Sequence, residues 1–150
     1  MKFNHYSLLI VAVATSVISG TALAQFAKPE AAIKYRQSAL TVMGTHFARI
    51  GAVVKGEVPF NKDDVIKNAA IINTMASLPW QGFGAGTEGG SALPSVWAEG
   101  DKFKSHQDKL ISTAAGLNSA AQSGDLDAIK KAFAATGANC KGCHDDFKKK

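Results

Sequence analysis

"ATGANCKGCHDDFKKK", residues Ala135 to Lys150, closes the chain. Within it, Cys140-Lys141-Gly142-Cys143-His144 holds the only two cysteines of the 150 residues, next to a histidine. On a helix, residues at i, i+3 and i+4 share one face. Cys140, Cys143 and His144 would therefore project together. C-x-x-C-H reads as a covalent haem attachment pattern. Each thiol adds across one vinyl group of the porphyrin, and the adjacent imidazole ligates the iron from the same side. Only six residues follow His144. Whatever faces the other side of the iron must come from upstream, so the fold has to bring an earlier segment over the end of the chain.

Three other readings of the same residues stand beside this one. A thioredoxin-like redox pair requires an α/β fold around it. A disulfide between i and i+3 closes a very small loop and gains little. A zinc site needs further ligands, and no second cysteine–histidine cluster exists in the sequence.

The start of the chain speaks to compartment. Lys2, the apolar run Leu8–Val13 and the small residues of Ala22-Leu23-Ala24 form the three parts of a secretory leader. Cleavage is expected after Ala24, leaving a single domain over residues 25–150. The apolar run is interrupted by Thr15, Ser16, Ser19 and Gly20 and falls short of the about 20 residues of a comfortable membrane span. No stable membrane insertion is expected. The mature net charge is +4, because the leader removes only Lys2 from a formal +5. Apart from Lys148–Lys150 there is no long basic run, and aromatics do not interleave with basic residues. Nucleic-acid binding is not indicated.

The mature chain reads as four helices. The first spans about Pro29–Val54, with proline suited to the opening turn and Ile33, Gln37, Leu40, Gly44 and Phe47 at helical spacing, flanked by Arg36 and Met43. Asn61 caps the second, which carries Val65, Ala69, Ile72 and Ala76 and stops at Pro79. The third runs over about Ser95–Ser123 through Phe103, Leu110, Ala114 and Leu117 to Gly124. Asp125 caps the fourth, with Leu126, Ile129 and Phe133 inward and Gly137 as a candidate kink. Short connections after the first and third helices favour antiparallel neighbours. The expected fold is all-α, an antiparallel four-helix bundle with covalently bound haem near the C-terminus.

The longest connection, "PWQGFGAGTEGGSALP" (Pro79–Pro94), contains Gly84-x-Gly86-x-x-Gly89. A dinucleotide site needs a strand before this motif and a helix opening on it. Neither is available, and the stretch reads as a turn that lets backbone approach something bulky.

"QFAKPEAAIKYRQSALTVM", "LPWQGFGAGTEGG" and "CKGCHDDFKKK" resemble the proteobacterial cytochromes c′, class II c-type cytochromes, over essentially the whole mature chain. The resemblance implies a periplasmic location and a homodimer packed through the first two helices. It implies one haem c per chain with five-coordinate, high-spin iron. It also implies binding of the diatomic gases nitric oxide and carbon monoxide, with poor binding of oxygen. Cys140 and Cys143 would anchor the haem and His144 would ligate the iron. Arg36 and Gln37 would lie beside the propionates, and Leu40 over the distal face. Thr87 and Glu88 would reach the rim, with Trp80 and Phe83 lining the pocket. Lys148 stands where several relatives carry arginine, which keeps the charge and loses the planar fork.

Helical geometry bears on the distal side. At about 100° per residue, Arg36, Met43, Gly44 and Phe47 lie within about 60° of Leu40, and His46 lies about 120° away. His46 is therefore a poor sixth ligand, and His106 reads as a solvated helix residue. Met43 is the competitor, because thioether sulfur is a standard axial ligand; a methionine on an apolar stripe is otherwise core filling. Two functional classes follow: a gas-binding haem protein with a role in nitric oxide protection and one-electron redox change, or a low-spin electron carrier with Met43 on the iron. Either would use an unidentified periplasmic electron donor. A nitric-oxide-consuming enzyme would need a reductase domain or an acid/base dyad, which the sequence lacks, so the expectation is not an enzyme.

Overall fold

The computed structural model describes residues 25–150. The expected leader, residues 1–24, lies outside the described residues. The elements are α1 (Pro29–Val54), α2 (Lys62–Met75), a 3-10 turn (Pro79–Phe83), the short α3 (Ser95–Ala98), α4 (Gly100–Ser123) and α5 (Leu126–Phe147). The long helices α1, α2, α4 and α5 form the four-helix bundle, with α1 on α2, α2 on α4, α4 on α5 and α5 back on α1.

Local chemistry sets the helix ends. Pro29 opens α1, and Glu30 sits in its first turn, where a negative charge meets the positive end of the helix dipole. Asn61 accepts from the Asp64 amide at 3.1 Å and starts α2. Gly124 takes φ 75°, a left-handed value that closes α4 without the strain a side chain would bring. Asp125 then accepts from the amides of Asp127 and Ala128 at 2.9 and 3.2 Å and starts α5. So short a connection turns α5 back along α4.

The core is built by Ile50, Val65, Ala69, Ile72, Leu117, Ile129 and the alanines Ala114 and Ala121, all at most 1% exposed. The alanines let the helix backbones approach closely. Toward the C-terminal end of α5 the packing gives way to a cavity walled by α1 on one side and α5 on the other.

Three features depart from the sequence reading. The third helix is broken at Glu99, whose φ −114°, ψ 50° is not helical; α3 is a separate turn held by Ser95 Oγ donating to Asp146 O and by Trp97 Nε1 donating to Phe83 O. On α1, Arg36 and Met43 are buried, at 2% and 6% exposure, and are not flanking positions. The stripe of Gln37, Leu40, Gly44 and Phe47 faces the cavity, while Met43 reaches the core as well. Gly137 does not kink α5, which runs unbroken, and instead lies against the Phe47 ring.

Candidate haem-binding site

The cavity has a volume of about 670 Å³ and opens beside the last two turns of α5. Cys140, Cys143 and His144 all line it. Both cysteines are half-buried, and no disulfide joins them. Burial raises the Cys140 thiol above its usual value. It pushes Cys143 to about 11, helped by Cys140 and Asp146. Partial burial lowers the His144 imidazole, Lys148 lowers it further and Asp145 opposes them. A neutral imidazole is the form that ligates a metal. Among the described residues no group of three or more His, Cys, Asp or Glu side chains is placed to hold a metal ion by itself. The zinc reading of the cysteines gains nothing from the fold.

The opposite wall is α1. Gln37, Leu40, Thr41, Met43, Gly44 and Phe47 face the cavity from it. Met43 is also part of the core cluster with Ile50, Val65, Ala69 and Ile72, whereas Leu40 is only half-buried at its margin. Thr41 donates its hydroxyl to Gln37 O at 2.8 Å, and Thr136, also on the lining, donates to Ala132 O at 2.9 Å. Neither hydroxyl is left to donate into the cavity. His46 turns away from it and pairs with Asn68 Oδ1 at 2.7 Å.

Arg36 stands where α1 meets the glycine-rich loop. Its guanidinium donates to Gly82 O, to Thr87 O at 2.8 Å and to Gly89 O at 2.9 Å. It lies over the Phe83 ring at 4.4 Å and near Trp97 at 5.5 Å, within cation–π range. Burial lowers its pKa, with Glu88 acting in the opposite sense. No ion pair among the described residues involves Arg36. A buried cation with no carboxylate bound to it favours an anionic group in the cavity it lines. The loop comes this close because Gly82 has no side chain; a Cβ there would sit 2.7 Å from Ala32 O.

The loop is tied to the chain's end as well. Leu93 N donates to Phe147 O and Lys149 N to Ser91 O, both at 2.9 Å. Lys148 lines the cavity at this junction.

Of the residues singled out in the sequence, Cys140, Cys143, His144, Arg36, Gln37, Leu40, Met43 and Phe83 meet around one cavity. Thr87, Glu88 and Trp80 are not on its lining. Thr87 sits behind Arg36, and Glu88 is exposed and accepts from Gly86 N. Trp80 packs behind Phe83 and Phe103 and donates to Ala76 O. His106 is not the solvated residue expected: its side chain is 20% exposed, edge-on to Phe147 and 3.2 Å from Asp146. Sequence reasoning missed Val96 and Phe147 as lining residues. Phe147 was within reach, three residues past His144 on the same helix face.

These residues fit haem c. Two thiols and an imidazole share one wall, the cavity is apolar, and a buried guanidinium waits at its edge. A family profile described as Cytochrome C′ matches residues 31–148. The chain is 48% identical over 126 residues to the cytochrome c′ of Alcaligenes xylosoxydans xylosoxydans, covering 84% of this chain and 99% of that one. It is 43% identical over 129 residues to the cytochrome c′ of Rubrivivax gelatinosus, covering 84% and 100%. Among solved structures, the nitric oxide complex of a leucine-to-alanine variant of cytochrome c prime from Alcaligenes xylosoxidans superposes with a TM-score of 0.81 at 46% identity, covering 84% and 99%. Site geometry, family profile and relatives agree, and the chain belongs to the cytochrome c′ family, a family of haem c proteins.

Proposed function

We propose that this protein is a periplasmic haem c protein that binds nitric oxide and carbon monoxide at an open iron position, and is a binding protein without turnover of its own. The observation that carries the reading is the distal wall. Leu40 stands at the cavity, and Met43, its competitor for the iron, is packed among Ile50, Val65, Ala69 and Ile72. When bound, haem c supplies an iron that takes up diatomic gases and changes redox state by one electron. The chain's own residues decide which gases are held and how fast they enter. Cys140 and Cys143 anchor the group, and His144 holds it from the α5 side. Arg36 and Gln37 face its carboxylates at the cavity edge. Leu40 occludes the distal side and must swing aside for a ligand to enter. Met43, Gly44 and Phe47 keep water out and offer no hydrogen-bond donor. Oxygen, which gains from such donors, is disfavoured relative to nitric oxide and carbon monoxide.

The relative solved as a nitric oxide complex supports the gas reading. A role in nitric oxide protection, redox exchange with a periplasmic donor and cleavage after Ala24 belong to the same proposal. So does a homodimer through α1 and α2, where Val42 on α1 and Val58 and Phe60 in the connection between them are at least 40% exposed. No described helix is long and apolar enough to cross a membrane. The second reading rests on Met43, which also touches the cavity. A spectrum of the ferrous protein separates the two. A broad high-spin band supports the open site; sharp low-spin bands that vanish in Met43→Leu establish the electron carrier instead.

A further inference from the structure

Below the cavity, α1 and α5 meet through four residues, of which only Phe47 also reaches the cavity lining. The rings of Phe47 on α1 and Phe133 on α5 stack with centroids 4.1 Å apart and planes 10° from parallel. Each ring lies over a glycine of the opposite helix. A Cβ on Gly51 would come 3.1 Å from Phe133 Cζ, and one on Gly137 would come 3.4 Å from Phe47 Cζ. In each helix the glycine follows its phenylalanine by four residues, on the same face. The two Phe-x-x-x-Gly sequences are thus mutually inserted, with Phe47 level with Gly137 and Gly51 level with Phe133. Four residues forward on α1 correspond to four residues back on α5.

Carried toward the cavity, that register has a definite consequence. One turn further, Gly44 comes level with Cys140. Two turns further, Leu40 comes level with His144. All four line the cavity, and a Cβ added at Gly44 would meet nothing within 4 Å. At 1.5 Å of rise per residue, the stacked rings lie only about 10 Å along α1 from Leu40. The helices touch at the phenylalanines and are separated by the cavity above them.

We infer that this reciprocal phenylalanine–glycine insertion is a fulcrum that sets the spacing and register of α1 on α5, and so places Leu40 opposite His144. Phe47, Gly51, Phe133 and Gly137 are positioning residues, acting through Leu40. Two stacked rings seated on two glycines permit one spacing only, because interiors are close-packed and an added methyl is felt as displacement. A slip by one residue would rotate the α1 wall by about 100° and take Leu40 off the cavity.

The test is made on the holo protein with Gly51→Ala, the tighter contact, and Gly137→Ala, the looser one. Gly116→Ala on α4, where an added Cβ meets nothing within 4 Å, controls for the helix-forming gain of alanine. Crystal structures of the variants should show the Leu40–His144 separation widened by a few tenths of an ångström in Gly51→Ala, less in Gly137→Ala, and unchanged in Gly116→Ala. Carbon monoxide association should rise about threefold in Gly51→Ala, a small fraction of a barrier, with the spectrum of attached haem retained. Adding Phe133→Leu, which withdraws the ring from the new methyl, should return both readouts toward the parent. An unchanged separation in both folded variants overturns the inference. So does an altered separation that Phe133→Leu fails to reverse. If Gly51→Ala does not fold, Gly137→Ala alone decides. The inference rests on the Leu40 gate, and the readouts keep the two apart: a widened gap with an unchanged association rate keeps the fulcrum and removes the gate.

Discussion

The two walls of the cavity are made by different means. The α5 wall is chemical: within five consecutive residues it carries two thiols and an imidazole, the groups proposed to bond one haem c. The α1 wall is steric: Leu40, Gly44 and Phe47 form no polar contact, and the hydroxyl of Thr41 is engaged with its own helix. A wall of bonds can be lost by changing one atom type. A wall of shapes responds to volume, and by degrees. The contrast orders the experiments that can break it.

The largest effect belongs to the bonded wall. Cys143→Ser should abolish one thioether and His144→Ala should remove the iron ligand. Pyridine haemochrome spectra and mass spectrometry of intact protein should show attachment through one thiol in the first case. In the second the proximal ligation signature should be lost. Full retention of the parent spectrum in His144→Ala would remove the α5 wall from the chemistry altogether.

Next comes the junction of the walls. Arg36→Met would leave Thr87 O without a donor, leave Gly82 O and Gly89 O with only Thr87 Oγ1 and Ala92 N respectively, and remove the cation from the faces of Phe83 and Trp97. A buried acceptor left without a partner costs about 1–3 kcal/mol, and the lost cation–π contacts add to it, so a loss of about 3 kcal/mol is expected in chemical denaturation. Hydrogen exchange should speed at Thr87 and Gly89 more than at core positions such as Leu117. A loss confined to haem retention, with the loop still protected, would show that Arg36 serves the cofactor alone.

The steric wall should respond more gently. Leu40→Ala removes the group proposed to swing aside, and carbon monoxide association should rise about tenfold, worth roughly 1.4 kcal/mol of barrier. Stability should fall by less than a fully buried leucine truncation, about 2–5 kcal/mol, because Leu40 is only half-buried. An unchanged rate would take the gate away from this residue.

The same contrast explains what could be read without a structure. That Cys140, Cys143 and His144 would meet on one wall was legible because a haem attachment pattern demands residue types at fixed spacing, and the three do line one cavity. Helix ends at Asn61, Gly124 and Asp125 were legible for a similar reason, since caps are local hydrogen bonds. The steric wall was read only as a stripe. Periodicity placed Leu40 and Met43 on one face but could not say that Met43 enters the core while Leu40 remains at the cavity. Arg36 read as a flank of the stripe and a propionate contact, and nothing in its neighbours showed three carbonyls converging from residues 46 to 53 positions away. The break at Glu99 and the burial of His106 depend on tertiary contacts with the loop and with α5, so no local pattern carried them.

The smallest effect tests whether the walls are local at all. Asp125 caps α5 at the end of the helix remote from the cysteines. Asp125→Ala should lower stability by about 1 kcal/mol, the usual worth of an N-cap, seen as a lower denaturation midpoint with an unchanged slope. The haem spectrum and the carbon monoxide rate should stay at parent values. Between that cap and the haem motif lies the contact of Phe133 and Gly137 with α1, which holds the register of α5. A changed association rate would mean that fraying at the first turn of α5 passes this contact and reaches Leu40. The steric wall would then depend on the whole length of the helix, and the difference between the two walls would be one of scale as much as of kind.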